Sequence, residues 1–278
     1  MSTPHRRHVE GIALTVHEAA GEPQGTVLLL HGIGGSAETF AGVAPRLAAA
    51  GWHTLAWDAP GYGASADPGT DVTGPDSPGA YVAAVEALLT ALEVERAHLV
   101  GVSWGGVIAT HVAARRPELV ASLTLLDSTR GSGTTPAKAA AMRGRVTELV
   151  EVGPEAFAAL RAPRLLAERA APDVAAAVTR QMAAVRVPGY AGAAEMMAQS
   201  DTGPLLAALQ PPTLVLVGDE DRVTGVAESR LLAREIPGAC LTLIEGAGHA
   251  AVQERPAEVA DALLGFWAGQ PAPQEVLR

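Results

Sequence analysis

The sequence of 278 residues contains a single cysteine, Cys240, and aromatic residues make up only 4% of it. One cysteine cannot form an internal disulfide or supply a thiolate cluster, so a disulfide scaffold and a cysteine-based metal site are excluded. No apolar run approaches the roughly 18 residues that a membrane-spanning helix needs. No apolar stretch follows Arg6 and Arg7, as it would in a signal peptide. We therefore expect a soluble cytoplasmic protein with no membrane partner.

Positive charge is also scarce in this sequence. The 20 lysine and arginine residues are outnumbered by 30 aspartate and glutamate residues, which gives a formal net charge of −10 at pH 7. A chain with that balance repels nucleic-acid phosphates and anionic membrane surfaces, so nucleic acid is not expected as a partner. Hydrophobic residues, at 48%, are abundant enough to form a large core. The composition predicts a globular protein.

Short apolar runs recur along the chain, with helical segments between them. The alternation of Ile12, Leu14 and Val16 with other residues predicts a half-buried antiparallel strand near the N-terminus. Continuous apolar runs, which are typical of parallel strands covered on both faces, lie at 27–30, 99–102, 123–126, 214–217 and 241–244. Helices are predicted after Ser36, from Ser77 to Leu92, and up to Arg115. This alternation predicts an α/β fold with a mostly parallel, doubly wound sheet and a ligand site at the carboxyl ends of its strands.

Residues 131–203 differ from the rest of the chain. Alanine-rich helical stretches follow one another there, and no convincing strand lies between them. A loop rich in glycine, serine and threonine opens the segment, and Gly203 and Pro204 mark its end. We therefore predict a core formed by 1–130 and 204–278, with an inserted helical cap at 131–203.

The most specific motif is the pentapeptide Gly-Val-Ser-Trp-Gly at 101–105, which follows a predicted strand and precedes a predicted helix. This is the pattern of a nucleophile elbow, in which a serine occupies a strained turn and flanking glycines avoid a steric clash. With the strand before it and the helix after it, a chance match becomes improbable. Ser103 is therefore the predicted nucleophile.

With this elbow, the chain resembles the α/β-hydrolase superfamily over nearly its whole length. The segments 31–36, 58–65 and 188–191 are most similar to the 3-oxoadipate enol-lactonase and carboxylesterase group. The resemblance implies the α/β-hydrolase fold and a serine hydrolase that needs no metal ion and no organic cofactor. An aspartate at position 103 would instead indicate dehalogenases or epoxide hydrolases, and a cysteine would indicate dienelactone hydrolases.

The resemblance also implies a catalytic triad of Ser103, Asp221 and His249. His249 follows the last predicted strand in the sequence Gly-Ala-Gly-His, where the family carries its general base. Asp221 follows the predicted strand 214–217 with the family's Gly-x-x-Asp spacing. Asp127, at the end of the preceding strand, is the main competitor for the role of the acid.

Residues 31–35 match the loop that supplies one backbone N–H to the oxyanion hole of the family. Ile33 is the predicted donor, with Gly34 as the alternative. The second donor is the N–H of Trp104, directly after the nucleophile. His31 is expected to brace this loop.

Five residues are predicted to contact the substrate. Gly32 and Gly34 belong to the oxyanion loop, and Met142 and Met196 are the predicted acyl-pocket residues. Met182 and Met197 are further candidates for this apolar pocket, because thioether side chains adapt to varied ligands. Such methionines are more often plain helix-packing residues. Arg186 is a candidate partner for a substrate carboxylate, although a surface arginine is the more common case.

Together these residues predict hydrolysis of a small-molecule carboxylic ester or lactone through an acyl-enzyme on Ser103. Two alternatives stay open. A C–C bond hydrolase or perhydrolase would use the same triad and differ in the shape of the cap and its access for water. A non-catalytic ligand receptor on the same fold would bind its ligand tightly without turnover. The physiological substrate and the oligomeric state do not follow from the sequence.

Overall fold

The computed structural model describes residues 3–269, and its framework is one eight-stranded sheet. The strands are β1 (His5–Val9), β2 (Ile12–His17), β3 (Thr26–Leu30), β4 (His53–Asp58), β5 (Ala97–Val102), β6 (Val120–Leu126), β7 (Thr213–Gly218) and β8 (Cys240–Ile244). Their order across the sheet is β1-β2-β4-β3-β5-β6-β7-β8. The pairs β1-β2 and β2-β4 are antiparallel, and the other five pairs are parallel. The predicted mostly parallel sheet is confirmed.

Helices connect the strands and cover both faces of the sheet. They are α1 (Ala44–Ala49), α2 (Ser77–Ala91), α3 (Trp104–Arg115), α4 (Pro136–Arg161), α5 (Pro172–Ala183), α6 (Val187–Gln199), α7 (Gly203–Leu206), α8 (Gly225–Glu235), α9 (Ala251–Glu254) and α10 (Pro256–Trp267). Alternate residues of β3 enter two different cores: Leu28 and Leu30 pack with α2 and α3, whereas Val27 and Leu29 pack with α1 and α10. The sheet is therefore doubly wound, as predicted. Among the helices of residues 3–269, none is long and apolar enough to cross a membrane.

The antiparallel edge of the sheet differs from the prediction. Strand β1, with the sequence His-Arg-Arg-His-Val, is almost wholly exposed, so no hydrophobic alternation reveals it. Because β1 pairs with the outer edge of β2, β2 lies inside the sheet between β1 and β4. All residues of β2 except Thr15 are buried, so β2 is not the half-buried strand that the alternation predicted.

The segment between β6 and β7 is helical and contains α4, α5 and α6. The longest of these helices, α4, is kinked at Gly153, whose φ of 77° is not helical, and Pro154 follows it. No strand forms between Leu126 and Thr213, all of which the structure describes. The cap limits at 131 and 203 stay a prediction, and residues 1–2 and 270–278 of the predicted core lie outside the described residues.

The turn between β5 and α3 positions the candidate nucleophile and requires glycine on both sides of it. Ser103 has φ 51° and ψ −113°, a conformation that is strained for a residue with a side chain. A Cβ on Gly101 would lie 2.4 Å from the Gly105 backbone, and a Cβ on Gly105 would lie 2.0 Å from the Leu30 carbonyl oxygen. The ends of β3 and β5 therefore approach the first turn of α3 only because these two residues lack a side chain.

We predict opposite effects on stability for two glycine substitutions. Gly105→Ala places a methyl group against the Leu30 carbonyl and is expected to lower the free energy of unfolding by at least about 2 kcal/mol. Gly144 lies inside α4, where an added Cβ meets no atom within 4 Å. Gly144→Ala should therefore stabilise the protein by roughly 0.5–1 kcal/mol. Urea unfolding followed by circular dichroism compares the two, and similar effects of both substitutions would contradict the turn geometry.

Candidate active site

Three of the residues predicted from the sequence lie at the carboxyl ends of the parallel strands. Ser103 follows β5, Asp221 follows β7 and His249 follows β8. Ser103 and His249 line one cavity of about 520 Å³, which residues of α4, α5 and α6 also line. The site therefore lies where ligands bind in doubly wound sheets.

The contact between His249 and Asp221 defines the orientation of the imidazole. His249 Nδ1 and Asp221 Oδ2 are 3.0 Å apart, and the carboxylate of Asp221 is fully buried. Because Nδ1 donates its proton to the carboxylate, Nε2 is the ring nitrogen that is left to exchange a proton with another group. This is the tautomer that a general base beside a serine hydroxyl requires.

The carboxylate of Asp221 is held by the backbone and side chain that follow it. Val223 N donates to Oδ1 at 2.7 Å, and the Thr224 hydroxyl donates to Oδ2 at 2.6 Å. Burial alone would raise the pKa of Asp221, but the hydrogen bonds and charge of His249, with these two donors, lower it to about 2. Asp221 is therefore ionised at neutral pH. Thr224 was not predicted from the sequence, and its spacing of three residues from the acid is the only signal that could have indicated it.

The competing carboxyl group, Asp127, occupies a different environment. It is fully buried at the end of β6, and its Oδ1 accepts a hydrogen bond from Gly218 N at 2.8 Å. Burial, and secondly the negative charge of Asp221, raise the pKa of Asp127 well above its usual range. Of the two candidates, only Asp221 is in hydrogen-bond contact with His249 among the residues described.

The loop that carries His249 is packed against the segment leading from α4 to α5. Ala250 N donates to the Leu165 carbonyl at 2.9 Å. The carboxylate of Glu254 accepts hydrogen bonds from Gly248 N at 2.9 Å and from Ala167 N at 3.0 Å. The inserted segment and the core thus hold the His249 loop between them. Nothing in the sequence pointed to this role of Glu254.

The predicted oxyanion loop lies beside Ser103. A Cβ on Gly32 would lie 3.2 Å from Ser103 Cβ, and the half-buried Ile33 lines the cavity. Trp104 is the first residue of α3, where backbone N–H groups have no acceptor within the helix. In this turn Gly106 N and Val107 N donate to the Ser103 carbonyl at 3.0 and 3.3 Å. The N–H of Trp104 is therefore the donor left for a negatively charged oxygen near Ser103.

His31 holds the oxyanion loop against the neighbouring loop. Its Nε2 accepts a hydrogen bond from Ala59 N at 3.0 Å, so its Nδ1 carries the proton and donates to the Gly32 carbonyl at 2.8 Å. The ring is completely buried, and burial lowers the pKa of His31 to about 4 against the opposing effects of Gly32 and Asp58. His31 is thus a neutral bridge, consistent with the expected bracing role.

The residues predicted to contact the substrate divide into two groups. Gly32, Gly34 and Met142 line the cavity. Met196 does not line it, because its side chain is fully buried and its sulfur accepts a hydrogen bond from the Trp104 indole N–H at 3.1 Å. The two further methionine candidates, Met182 and Met197, also line the cavity.

Arg186 is not among the residues that line the cavity, and the structure does not bring it to the predicted substrate contact. Its guanidinium donates to Asp67 Oδ1 at 2.8 Å and to the carbonyl oxygens of Gly63 and Ser65 at 2.8 and 2.7 Å. These acceptors lie more than 100 positions earlier in the chain, so no local pattern could reveal them. The hydrogen bonds of Arg186 therefore link the start of α6 to the loop after β4.

The chemical groups in this site suit proton transfer and nucleophilic attack. They combine a serine hydroxyl on a strained turn, an imidazole with one free nitrogen, an ionised carboxylate and backbone N–H donors. Within residues 3–269, no group of three or more His, Cys, Asp or Glu side chains could hold a metal ion.

Comparison with known proteins gives a family and several related hydrolases. The family model described as alpha/beta hydrolase fold matches residues 25–256. The chain is 31% identical over 233 residues to the pimeloyl-acyl-carrier-protein methyl ester esterase of Chromobacterium violaceum, covering 81% of this chain and 87% of that protein. It is 27% identical over 206 residues to 3-oxoadipate enol-lactonase 2 of Acinetobacter baylyi, covering 74% of each.

A solved structure extends the likeness to the whole fold. The crystal structure of a hydrolase from Pseudomonas aeruginosa superposes with a TM-score of 0.83 at 28% sequence identity. The match covers 95% of this chain and 98% of that chain. The likeness therefore includes the inserted helices as well as the sheet.

We predict that the free energy of unfolding decreases as the pH is lowered from about 6.5 to about 4, in part because of His31. The pKa of His31 is about 4 in the folded protein, compared with an ordinary value of 6.5. In this window the unfolded chain binds a proton that folded His31 does not. The contribution of His31 to the free energy of unfolding is therefore fully present above about pH 6.5 and is lost as the pH falls to about 4. Its size is on the order of 3 kcal/mol. Urea unfolding at pH 7 and at pH 4.5 measures the loss.

Two histidine variants isolate this effect. His31→Asn should show a smaller difference in stability between the two pH values than the wild type. His8→Asn, on the exposed strand β1, should behave like the wild type and serves as the control. An unchanged difference in His31→Asn would show that His31 is not the neutral, buried group described above.

Proposed function

The chain belongs to the alpha/beta hydrolase family, and we propose that it is a serine hydrolase that cleaves a carboxylic ester or lactone. The observation that carries the proposal is the 3.0 Å contact of His249 Nδ1 with Asp221 Oδ2, beside a cavity that Ser103 also lines. A serine at the elbow, paired with a histidine and an acid, favours acyl transfer.

The first half of the proposed reaction forms an acyl-enzyme. Ser103 Oγ attacks the carbonyl carbon of the substrate, and His249 Nε2 takes the serine proton. The resulting oxyanion accepts hydrogen bonds from the backbone N–H groups of Ile33 and Trp104. The protonated imidazole, stabilised by ionised Asp221, then gives its proton to the leaving alkoxide as the ester C–O bond breaks.

The second half releases the acid. A water molecule gives a proton to His249 and attacks the acyl carbon, and the second oxyanion is stabilised by the same N–H groups. Its collapse breaks the bond to Ser103 Oγ, which recovers its proton from His249. An ester and water thus give a carboxylic acid and an alcohol. A lactone gives a single hydroxy acid, because its alcohol stays attached to the acyl group.

Two further observations support the ester and lactone class. The related proteins named above are an ester esterase and an enol-lactonase, and both of those names describe cleavage of a bond between an acyl carbon and oxygen. The methionines that line the cavity, Met142, Met182 and Met197, provide an adaptable apolar surface for an acyl chain.

A substrate panel tests the proposal. Proton release is measured with short-chain ethyl esters, lactones and β-diketones. We expect turnover of esters or lactones, with kcat reduced about 10³-fold or more in Ser103→Ala and about 10²- to 10⁴-fold in Asp221→Asn. Asp219→Asn is the matched control, because Asp219 is an exposed carboxylate in the same loop whose side chain, among the described residues, accepts a hydrogen bond only from Gly246 N. Its activity should stay within about twofold of the wild type.

Other outcomes of the panel contradict the proposal in distinct ways. Turnover confined to β-diketones would indicate a C–C bond hydrolase that uses the same residues. Tight ligand binding with negligible turnover would indicate a receptor. Ester hydrolysis that survives in Ser103→Ala would show that this serine is not the nucleophile.

A further inference from the structure

The cavity beside Ser103 is lined by an excess of basic side chains, although the chain as a whole carries a formal net charge of −10. The basic residues that line it are Lys138, Arg145, Arg161, Arg164 and Arg222. Among the described residues, Glu228 is the only acidic residue in this lining, and its carboxylate is already paired with Arg130 at 2.9 Å. The cavity therefore has a positive surface in an acidic protein.

The five basic residues differ in what already binds them. Arg161 forms an ion pair with Glu148, and its guanidinium lies 4.8 Å from the centre of the Phe157 ring. Lys138, Arg164 and Arg222 are exposed, so water solvates their charges. Arg145 is half-buried, and within residues 3–269 no carboxylate lies within ion-pair distance of it.

The neighbour of Arg145 in the cavity is a neutral phenol. Burial raises the pKa of Tyr190, and the charge and hydrogen bond of Arg145 oppose this effect without reversing it. The guanidinium has five N–H donors in a planar fork, and one neutral hydroxyl satisfies few of them. A partly desolvated cation without a counter-charge is unfavourable, so the site is suited to an anion that enters with a ligand.

Arg143, two residues earlier on α4, shows the contrast. Its guanidinium forms two hydrogen bonds of 2.7 Å with the Glu195 carboxylate. It lies outside the cavity lining, and its charge is neutralised by the protein itself. The two arginines thus differ in whether the chain supplies the carboxylate.

We propose that Arg145 binds a carboxylate carried by the substrate, so that the preferred substrate is an ester or lactone with a second, ionised carboxyl group. This inference rests on the proposed function, because it names the substrate class of the same site. Arg145 and the Tyr190 hydroxyl hold the carboxylate at the α4 and α6 wall, and the reacting carbonyl lies at Ser103. The fork of a guanidinium matches the two oxygens of a carboxylate. The exposed Lys138, Arg164 and Arg222 raise the local concentration of such anions.

A pair of substrates of equal chain length tests the proposal. Monoethyl glutarate and ethyl pentanoate differ only in the group at the far end of the acyl chain, which is a carboxylate in one and a methyl in the other. We expect a higher kcat/KM for monoethyl glutarate in the wild type. In Arg145→Met, which keeps most of the aliphatic stem, the ratio of the two kcat/KM values should fall about tenfold or more, mainly through KM. Arg145→Lys should recover part of the ratio, because it restores the charge without the fork.

The control is Arg143→Met, which removes the same charge from the same helix outside the cavity. It should leave the ratio unchanged. If both esters are hydrolysed with equal kcat/KM and Arg145→Met has the ratio of the wild type, the carboxylate site is contradicted while the hydrolase proposal stands.

Glutarate binding separates the two proposals when no ester in the panel is hydrolysed. Titration calorimetry with glutarate is carried out on the wild type, Arg145→Met and Arg143→Met. Binding that is lost only in Arg145→Met would support the carboxylate site. The absence of hydrolysis would then contradict only the hydrolase proposal. Absence of binding to the wild type would overturn the carboxylate site as well.

Discussion

The close approach of three backbone segments at the β5–α3 turn is the constraint on which the rest of the site depends. Gly105 lies against the Leu30 carbonyl, so the end of β3 and the start of α3 are in contact. The loop after β3 therefore begins beside Ser103, where a Cβ on Gly32 would lie 3.2 Å from Ser103 Cβ. A bulkier residue at the turn would separate the nucleophile from the loop that carries the proposed donor Ile33. This arrangement requires Ser103 to adopt a strained combination of φ and ψ.

The electrostatics of the site depend on keeping neighbouring ionisable groups in different protonation states. Hydrogen bonds from His249 and Thr224 help to keep Asp221 ionised, whereas burial and the charge of Asp221 raise the pKa of Asp127. His31 is neutral because it is buried and because its Nε2 accepts a backbone hydrogen bond. One buried negative charge therefore faces His249, and it is in contact with the ring nitrogen that the proposed reaction leaves untouched.

Features with a local signature were predictable from the sequence, and features that need distant contacts were not. The elbow turn at Ser103 and five of the six strands that pair in parallel follow from residue order and hydrophobic pattern, whereas β4 was not among the predicted apolar runs. Asp127 and Asp221 both follow strand ends, so only their three-dimensional contacts distinguish them. Arg186 has partners more than 100 residues away, and Arg145 is distinguished from Arg143 only by contacts that form in the folded chain. Strand β1 has no apolar alternation and left no pattern to detect.

The most direct test of the proposed mechanism is covalent labelling with a fluorophosphonate, followed by mass spectrometry of the intact protein and of its peptides. A serine activated by an imidazole attacks phosphorus and displaces fluoride, which leaves a stable adduct. The proposed mechanism predicts one adduct per chain, located on Ser103, absent in Ser103→Ala and formed much more slowly in His249→Ala. No adduct on the folded wild type, or an adduct on another residue with Ser103 unmodified, would contradict it.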